Sequence, residues 1–168
     1  KNPKKFNYSF VKKKVRSLKI KDLQDKNLLS DKVATSASII AKDKKIRNIV
    51  HQFQEKCAYQ PPKKYEGSVL DGRDITSVIL KNAMFKFYIT ANVKTRAKRR
   101  FRELKGLKKR ITYKEVLKSL TNRDKSDRQR KYGPLIKTKD SVLISNSQLD
   151  INSCFEKIKA IMDRKLNK

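Results

Sequence analysis

The residues best placed to do chemistry begin at Asp71-Gly72-Arg73-Asp74, which follow the apolar pair Val69-Leu70 and precede Ile75, with an apolar run resuming at Val78. Glycine permits a sharp turn where a strand ends. Arg73 and Asp74 are then expected at the carboxyl edge of a sheet, where open α/β folds bind ligands. An arginine fork offers a phosphate two parallel hydrogen bonds, and an aspartate accepts from an amino or hydroxyl group. Read alone, the same residues describe a polar turn with one surface ion pair equally well. A second cluster runs from Arg123-Asp124 through Asp127 to Arg130. On a helix, Arg123 and Asp127 share a face, and Arg130 nearly joins them. That line of arginine, aspartate and arginine suits a ligand carrying both hydroxyls and a phosphate. The plain alternative is a surface helix with ion pairs worth roughly 0.2–0.5 kcal/mol each. A third cluster, Thr95-Arg96-Ala97-Lys98-Arg99-Arg100, could hang arginines over a nucleotide or face RNA as a basic helix. Ser38 and Arg47 form a fourth, on paired helices before the Asp71 turn.

Composition narrows the partners. The chain has 168 residues, 45 Lys and Arg against 16 Asp and Glu, and a formal charge of +29. Such a charge argues for anionic partners, nucleic acid first among them. Much of the excess is lysine spread along the whole chain, which fits solvated faces filled by an AT-rich genome. The arginines are different: Arg96, Arg99, Arg100, Arg102, Arg110, Arg123, Arg128 and Arg130 fall in one stretch, and bidentate phosphate recognition is a reason to keep them. Cys57 and Cys154 are far apart and His51 is the only histidine, so neither a structural zinc site nor a Ser-His-Asp triad can be assembled, and no metal ligands are assigned. Two cysteines without a secretory leader fit a reducing, cytoplasmic setting. No apolar run reaches membrane-spanning length.

The elements that must position these groups alternate. Residues 6–20 (Phe6, Tyr8, Phe10, Val11, Val15, Leu18, Ile20) read as one or two strands broken by Lys12-Lys13-Lys14. Ser30 is expected to cap a helix through Ile40 and Asp43 a second through Phe53, closed by Pro61-Pro62. Residues 67–71 read as a short buried strand and Ala83–Thr90 as another. Asn92 caps a basic helix ending near Gly106. Thr112 and Glu115 have capping-box spacing and open a helix that runs towards Arg130. Gly133-Pro134 breaks the chain, Val142–Ile144 is a third strand, and a helix carrying Ile151, Phe155, Ile158, Ile161 and Met162 ends it. Strands alternating with helices imply an α/β layered fold with a mostly parallel sheet.

In order and spacing the clusters resemble one family, bacterial cytidylate kinase, which phosphorylates CMP and dCMP. The resembling parts are Val33-Ala34-Thr35-Ser36-Ala37-Ser38, Ile46-Arg47, Asp71-Gly72-Arg73-Asp74-Ile75-Thr76, Phe87-Tyr88-Ile89-Thr90-Ala91, Arg96-Ala97-Lys98-Arg99-Arg100, and Arg123 through Arg130. The likeness runs from about Ser30 to the C-terminus. It implies a P-loop nucleoside monophosphate kinase fold of three layers around a parallel sheet. It also implies an acceptor-nucleotide region over residues 1–66 and a core α/β region over 67–168 with a lid around 96–110. Ser38, Arg47 and Asp74 match positions that grip the cytosine, Arg123 and Asp127 match ribose contacts, and Arg73 and Arg130 match catalytic contacts to the acceptor phosphate. Arg96, Arg99 and Arg100 match a lid that closes over ATP. ATP and Mg²⁺ are the implied donor system, CMP and dCMP the implied partners, and a monomer the implied state.

The chain departs from that pattern in its donor half. The family's G-x-x-x-x-G-K-[ST] loop cradles the ATP phosphates and holds Mg²⁺. Here the glycines are Gly67, Gly72, Gly106 and Gly133, and no pair brackets such a loop. The family's Ser-Gly-x-x-Tyr-Arg element is missing, Leu29 stands where an arginine is expected, and Ser126 replaces another. A truncated stretch of a longer kinase, a degenerate copy, or a kinase half completed by another polypeptide each fit; the start at Lys1 favours the first. A basic RNA-binding module and a kinase for UMP or dTMP are the rival functions.

Overall fold

The structure is a computed structural model that describes residues 7–19, 22, 24–107 and 110–167. Phe6 and Ile20 of the first expected strand, and residues 108–109 of the expected lid, lie outside it. The described residues form six α-helices and a two-stranded parallel sheet, so the fold is mostly helical α/β. The chain divides into two compact units, residues 1–80 with 129–134, and residues 81–128 with 135–168.

The first unit opens with helix α1 (Tyr8–Ser17), where strands were expected. Asn7 caps it, its side chain accepting from the Phe10 N–H at 2.9 Å. The half-buried residues are Tyr8, Val11 and Val15, the i, i+3, i+7 stripe of an amphipathic helix. The lysine run that looked like a strand break is the solvated back of that helix. The α1 stripe lies on α3, and the Tyr8 hydroxyl donates to Asp43 Oδ2 at 3.0 Å. A single 3-10 turn (Lys26–Leu29) leads into α2 (Asp31–Ile40), whose cap Ser30 Oγ accepts from the Val33 N–H at 3.3 Å. Helix α3 (Lys44–Tyr59) is capped as expected by Asp43, Oδ1 accepting from the Ile46 N–H at 2.9 Å.

The strand expected at residues 67–71 does not form; Val69 there is fully exposed. An apolar pair is too short a signal to separate a strand from a loop. The apolar residues that do enter the core follow the Asp-Gly-Arg-Asp turn. Ile75–Ile79 form one wide π-helical turn, in which the Ile79 N–H donates to Asp74 O at 3.3 Å and the Leu80 N–H to Ile75 O at 2.6 Å. Ile75, Ile79 and Leu80 are buried, as is Ile46 of α3. Such turns are rare and concentrate at functional sites.

In the second unit β1 (Phe87–Thr90) pairs in parallel with β2 (Val142–Ser145), Phe87 opposite Val142 and Ile89 opposite Ile144. Helix α4 (Val93–Gly106) is capped by Asn92, whose side chain accepts from the Lys94 N–H at 2.8 Å. Helix α5 (Tyr113–Gln129) opens on the expected capping box: the Glu115 N–H donates to Thr112 Oγ1 at 3.2 Å, and the Thr112 N–H donates to Glu115 Oε2 at 2.7 Å. The Thr112 N–H and hydroxyl both donate to the Glu115 carboxylate, which stabilises its ionised form and lowers its pKa. Ala97 and Leu104 of α4 close on Val116 of α5, with Phe101 and Tyr113 meeting edge to face at 6.2 Å. Helix α6 (Ile151–Leu166), capped by Asp150, ends the chain. Among the described residues no helix is long and apolar enough to cross a membrane.

Candidate functional site

The first unit gathers three of the expected residues around one carboxylate. Arg47 extends from α3, one turn after its cap, and is buried; Asp74 is buried at the head of the π-helical turn. Arg47 Nη2 donates to Asp74 Oδ2, and Arg130 Nη2 lies 3.6 Å from Asp74 Oδ1. The Arg47 guanidinium also donates through Nη1 to the carbonyl of Ala41 at 3.3 Å. That carbonyl lies just beyond α2, one turn past Ser38, so the bond ties the end of α2 to the pair. Ser38 itself is half-buried. Two guanidinium groups thus flank one buried carboxylate, an arrangement that suits a ligand with a donor group for the aspartate.

Arg130 reaches this cluster by a route the sequence did not show. It was expected on the same helical face as Arg123 and Asp127, but α5 ends at Gln129. Residues 129–134 leave the helix and belong to the first unit. Arg130 Nε donates to the Gly133 carbonyl at 2.5 Å, closing a short turn. Gly133 has φ of +56°, a left-handed conformation that glycine adopts at little cost. A Cβ at Gly133 would overlap the Asp74 carboxylate and the Arg47 guanidinium.

Two residues of this cluster were not singled out from the sequence. Gly133 was read only as a chain breaker. His51 was set aside for want of triad or metal partners, although its place four residues after Arg47 on a helix was the available signal. Its Nε2 is 3.3 Å from Arg47 Nη2 and 3.4 Å from Asp74 Oδ2. Burial pushes the imidazole below its ordinary pKa; the Asp74 carboxylate pulls the other way and the Arg47 charge adds to the lowering.

The remaining candidates divide by unit. Arg73 is half-buried beside Asp74 in the first. In the second, Arg123 and Asp127 share one face of α5, and Asp127 is buried. The arginines expected over ATP are engaged by the protein. Arg96 forms a bidentate pair with Asp124, at 3.0 and 2.5 Å, and donates through Nε to Ala91 O at 3.0 Å. Arg99 donates to Asn146 Oδ1 at 3.1 Å and to the carbonyls of Asn146 and Leu149 at 2.7 and 3.0 Å. Arg100 pairs with Glu103 one turn along α4.

The cytidylate kinase family model matches residues 2–164. The cytidylate kinase of Azorhizobium caulinodans is 36% identical over 149 residues, 89% of this chain and 70% of that protein. That of Xanthobacter autotrophicus is 36% identical over 148 residues, 88% of this chain and 69% of that protein. A cytidylate kinase of Clostridium botulinum (strain Loch Maree) is 47% identical over 96 residues, 57% of this chain and 44% of that protein. The match defines a nucleotide kinase, a phosphotransferase class. Within it, the chain belongs to the cytidylate kinase family, and membership implies the P-loop kinase fold.

Membership also implies ATP and Mg²⁺ as the donor system. The residues present do not fit it. None of the four glycines brackets a phosphate-binding loop that would hold them.

Proposed function

We propose that these 168 residues supply the acceptor side of a CMP and dCMP kinase, with the donor loop furnished by residues other than these. The observation that carries the reading is the buried Arg47–Asp74 pair with Arg130 beside it. A cytosine ring offers an exocyclic amine and adjacent ring acceptors. Asp74 accepts from the amine and Arg47 donates to the acceptors, so the base replaces their mutual bond with matching ones. Ser38 adds a hydroxyl to the base subsite. Arg73 and Arg130 hold the acceptor phosphate. Catalysis in this class is positioning and charge neutralisation without a covalent intermediate. The part of this chain is to fix the acceptor phosphate and neutralise it.

Calorimetric titration with CMP, UMP and a mixed-sequence RNA tests the reading. CMP should bind roughly tenfold or more tightly than UMP, because a carbonyl facing Asp74 leaves the carboxylate unpaired. Asp74→Asn should erase that preference. Equal affinity for CMP and UMP would remove the base assignment. Tight, salt-steep RNA binding indifferent to Asp74 would favour the RNA-binding module instead. A version extended N-terminally with the phosphate-binding loop of a relative should phosphorylate CMP in a coupled ATP assay; inactivity of the extended chain would remove the kinase reading.

A further inference from the structure

His51 touches both members of the buried pair through one nitrogen. Nε2 lies 3.3 Å from Arg47 Nη2 and 3.4 Å from Asp74 Oδ2. With a lone pair there, the ring accepts from Arg47. With a proton there, it donates to Asp74. Those two states treat the pair in opposite ways. We propose that His51 is a positioning residue for nucleotide binding: neutral with its proton on Nδ1, it accepts from Arg47 and leaves Asp74 available to an exocyclic amine; protonated on both nitrogens, it claims Asp74 Oδ2 and repels Arg47, so CMP binding weakens. This rests on the acceptor-site reading above and adds to it a residue and a pH dependence.

The charged groups around the ring come from each neighbouring segment. Arg47 and Glu55 flank it on α3, Asp74 faces it from the π-helical turn, and Arg130 stands on the far side of Asp74. Helix α1 meets α3 through Tyr8, whose hydroxyl is committed to Asp43 at the start of that helix. Burial and the Arg47 charge outweigh the two carboxylates, so protonation falls below the ordinary histidine range near 6.5. At neutral pH the ring is therefore uncharged, and with its proton on Nδ1 it accepts from Arg47 through Nε2; once doubly protonated it can only donate there.

The test compares the chain with His51→Gln, which retains an acceptor and does not titrate, and with His51→Leu, which removes it. CMP affinity is measured by calorimetry from about pH 7.5 to about pH 5, across and below the ordinary histidine range. The nucleotide's own phosphate titrates near pH 6, so the readout is the difference between profiles. The unsubstituted chain should lose roughly threefold to tenfold more affinity across that range than His51→Gln, the size of one hydrogen bond. His51→Leu should already bind more weakly at pH 7.5, by a similar factor. Because His51 is the only histidine, its ring gives a single titration curve by NMR in the unsubstituted chain. By reciprocity, saturating CMP must lower that pKa if protonation opposes binding. Identical profiles for the chain and His51→Gln, or a ring pKa indifferent to CMP, would overturn the proposal while leaving CMP binding and its dependence on Asp74 intact. Absence of CMP binding at every pH would remove the acceptor-site reading as well.

Discussion

Gly133 lies directly against Asp74, so closely that a methyl group on its α-carbon would occupy the space of the carboxylate. Its left-handed backbone turns residues 129–134 over the Arg47–Asp74 pair. Gly133→Ala therefore meets two obstacles, the positive φ and the overlap. Backbone strain alone should cost about 1–3 kcal/mol, read as a lowered urea midpoint. CMP affinity should fall with it, because relief of the overlap displaces Asp74. An alanine variant with unchanged stability would mean that the turn re-forms elsewhere.

The buried pair makes a second prediction. Asp74→Leu leaves the Arg47 charge buried without its carboxylate and should destabilise the chain by about 3–5 kcal/mol. Replacing both partners, Arg47→Met with Asp74→Leu, removes the stranded charge and should recover part of that loss, although neither variant should bind CMP. Chemical denaturation of the two single variants and the double variant gives the comparison. A double variant less stable than Asp74→Leu alone would contradict it.

Arg96 gives a third. A mobile lid arginine would couple weakly to its neighbours, whereas here Arg96 grips Asp124 with two bonds and Ala91 with a third. A double-mutant cycle of Arg96→Lys and Asp124→Asn should show a coupling of about 1 kcal/mol, since an ammonium cannot reproduce the fork. Coupling near zero would return Arg96 to the role of a free cation.

The fourth concerns acid. Lys86 binds Asp140, and this hydrogen bond, with a second from Thr138, lowers the Asp140 pKa to about 2. A carboxylate with a depressed folded-state pKa stabilises the fold above its ordinary value of 3.8 and loses that contribution as pH falls towards about 2. Lys86→Met should lower stability at neutral pH and leave it little changed near pH 2, so that the acid limb between those values flattens. An unchanged acid limb would show that Asp140 titrates normally.

What could be read from the sequence followed the range of the interaction responsible. Ser30, Asp43, Asn92 and Thr112 with Glu115 were recognisable as helix starts because a cap depends on residues two or three positions away. Parallel strands β1 and β2 were legible from their β-branched and aromatic runs. Tyr8–Ser17 was misread because its lysines hid a helical period behind an apparent interruption. Residues 67–71 failed as a strand because the burial they suggested is taken by Ile75, Ile79 and Leu80 beyond the turn. Within the site, Arg47 and Asp74 were named together from the sequence and touch in the structure, but the seat of Arg130 off the helix and the contacts of His51 and Gly133 depend on chain segments far apart in sequence.

The first unit takes its closing piece from residues 129–134, far along the chain from the rest of it. During synthesis, Arg47 and Asp74 therefore leave the ribosome long before Arg130 and Gly133 can reach them. Until then the nascent chain carries their half-formed cradle open to water, and the intervening helices and β1 must emerge first. Vectorial translation thus seals this cluster only after β1, α4 and α5 have emerged. Any fragment ending before Pro134 should carry the pair unlatched.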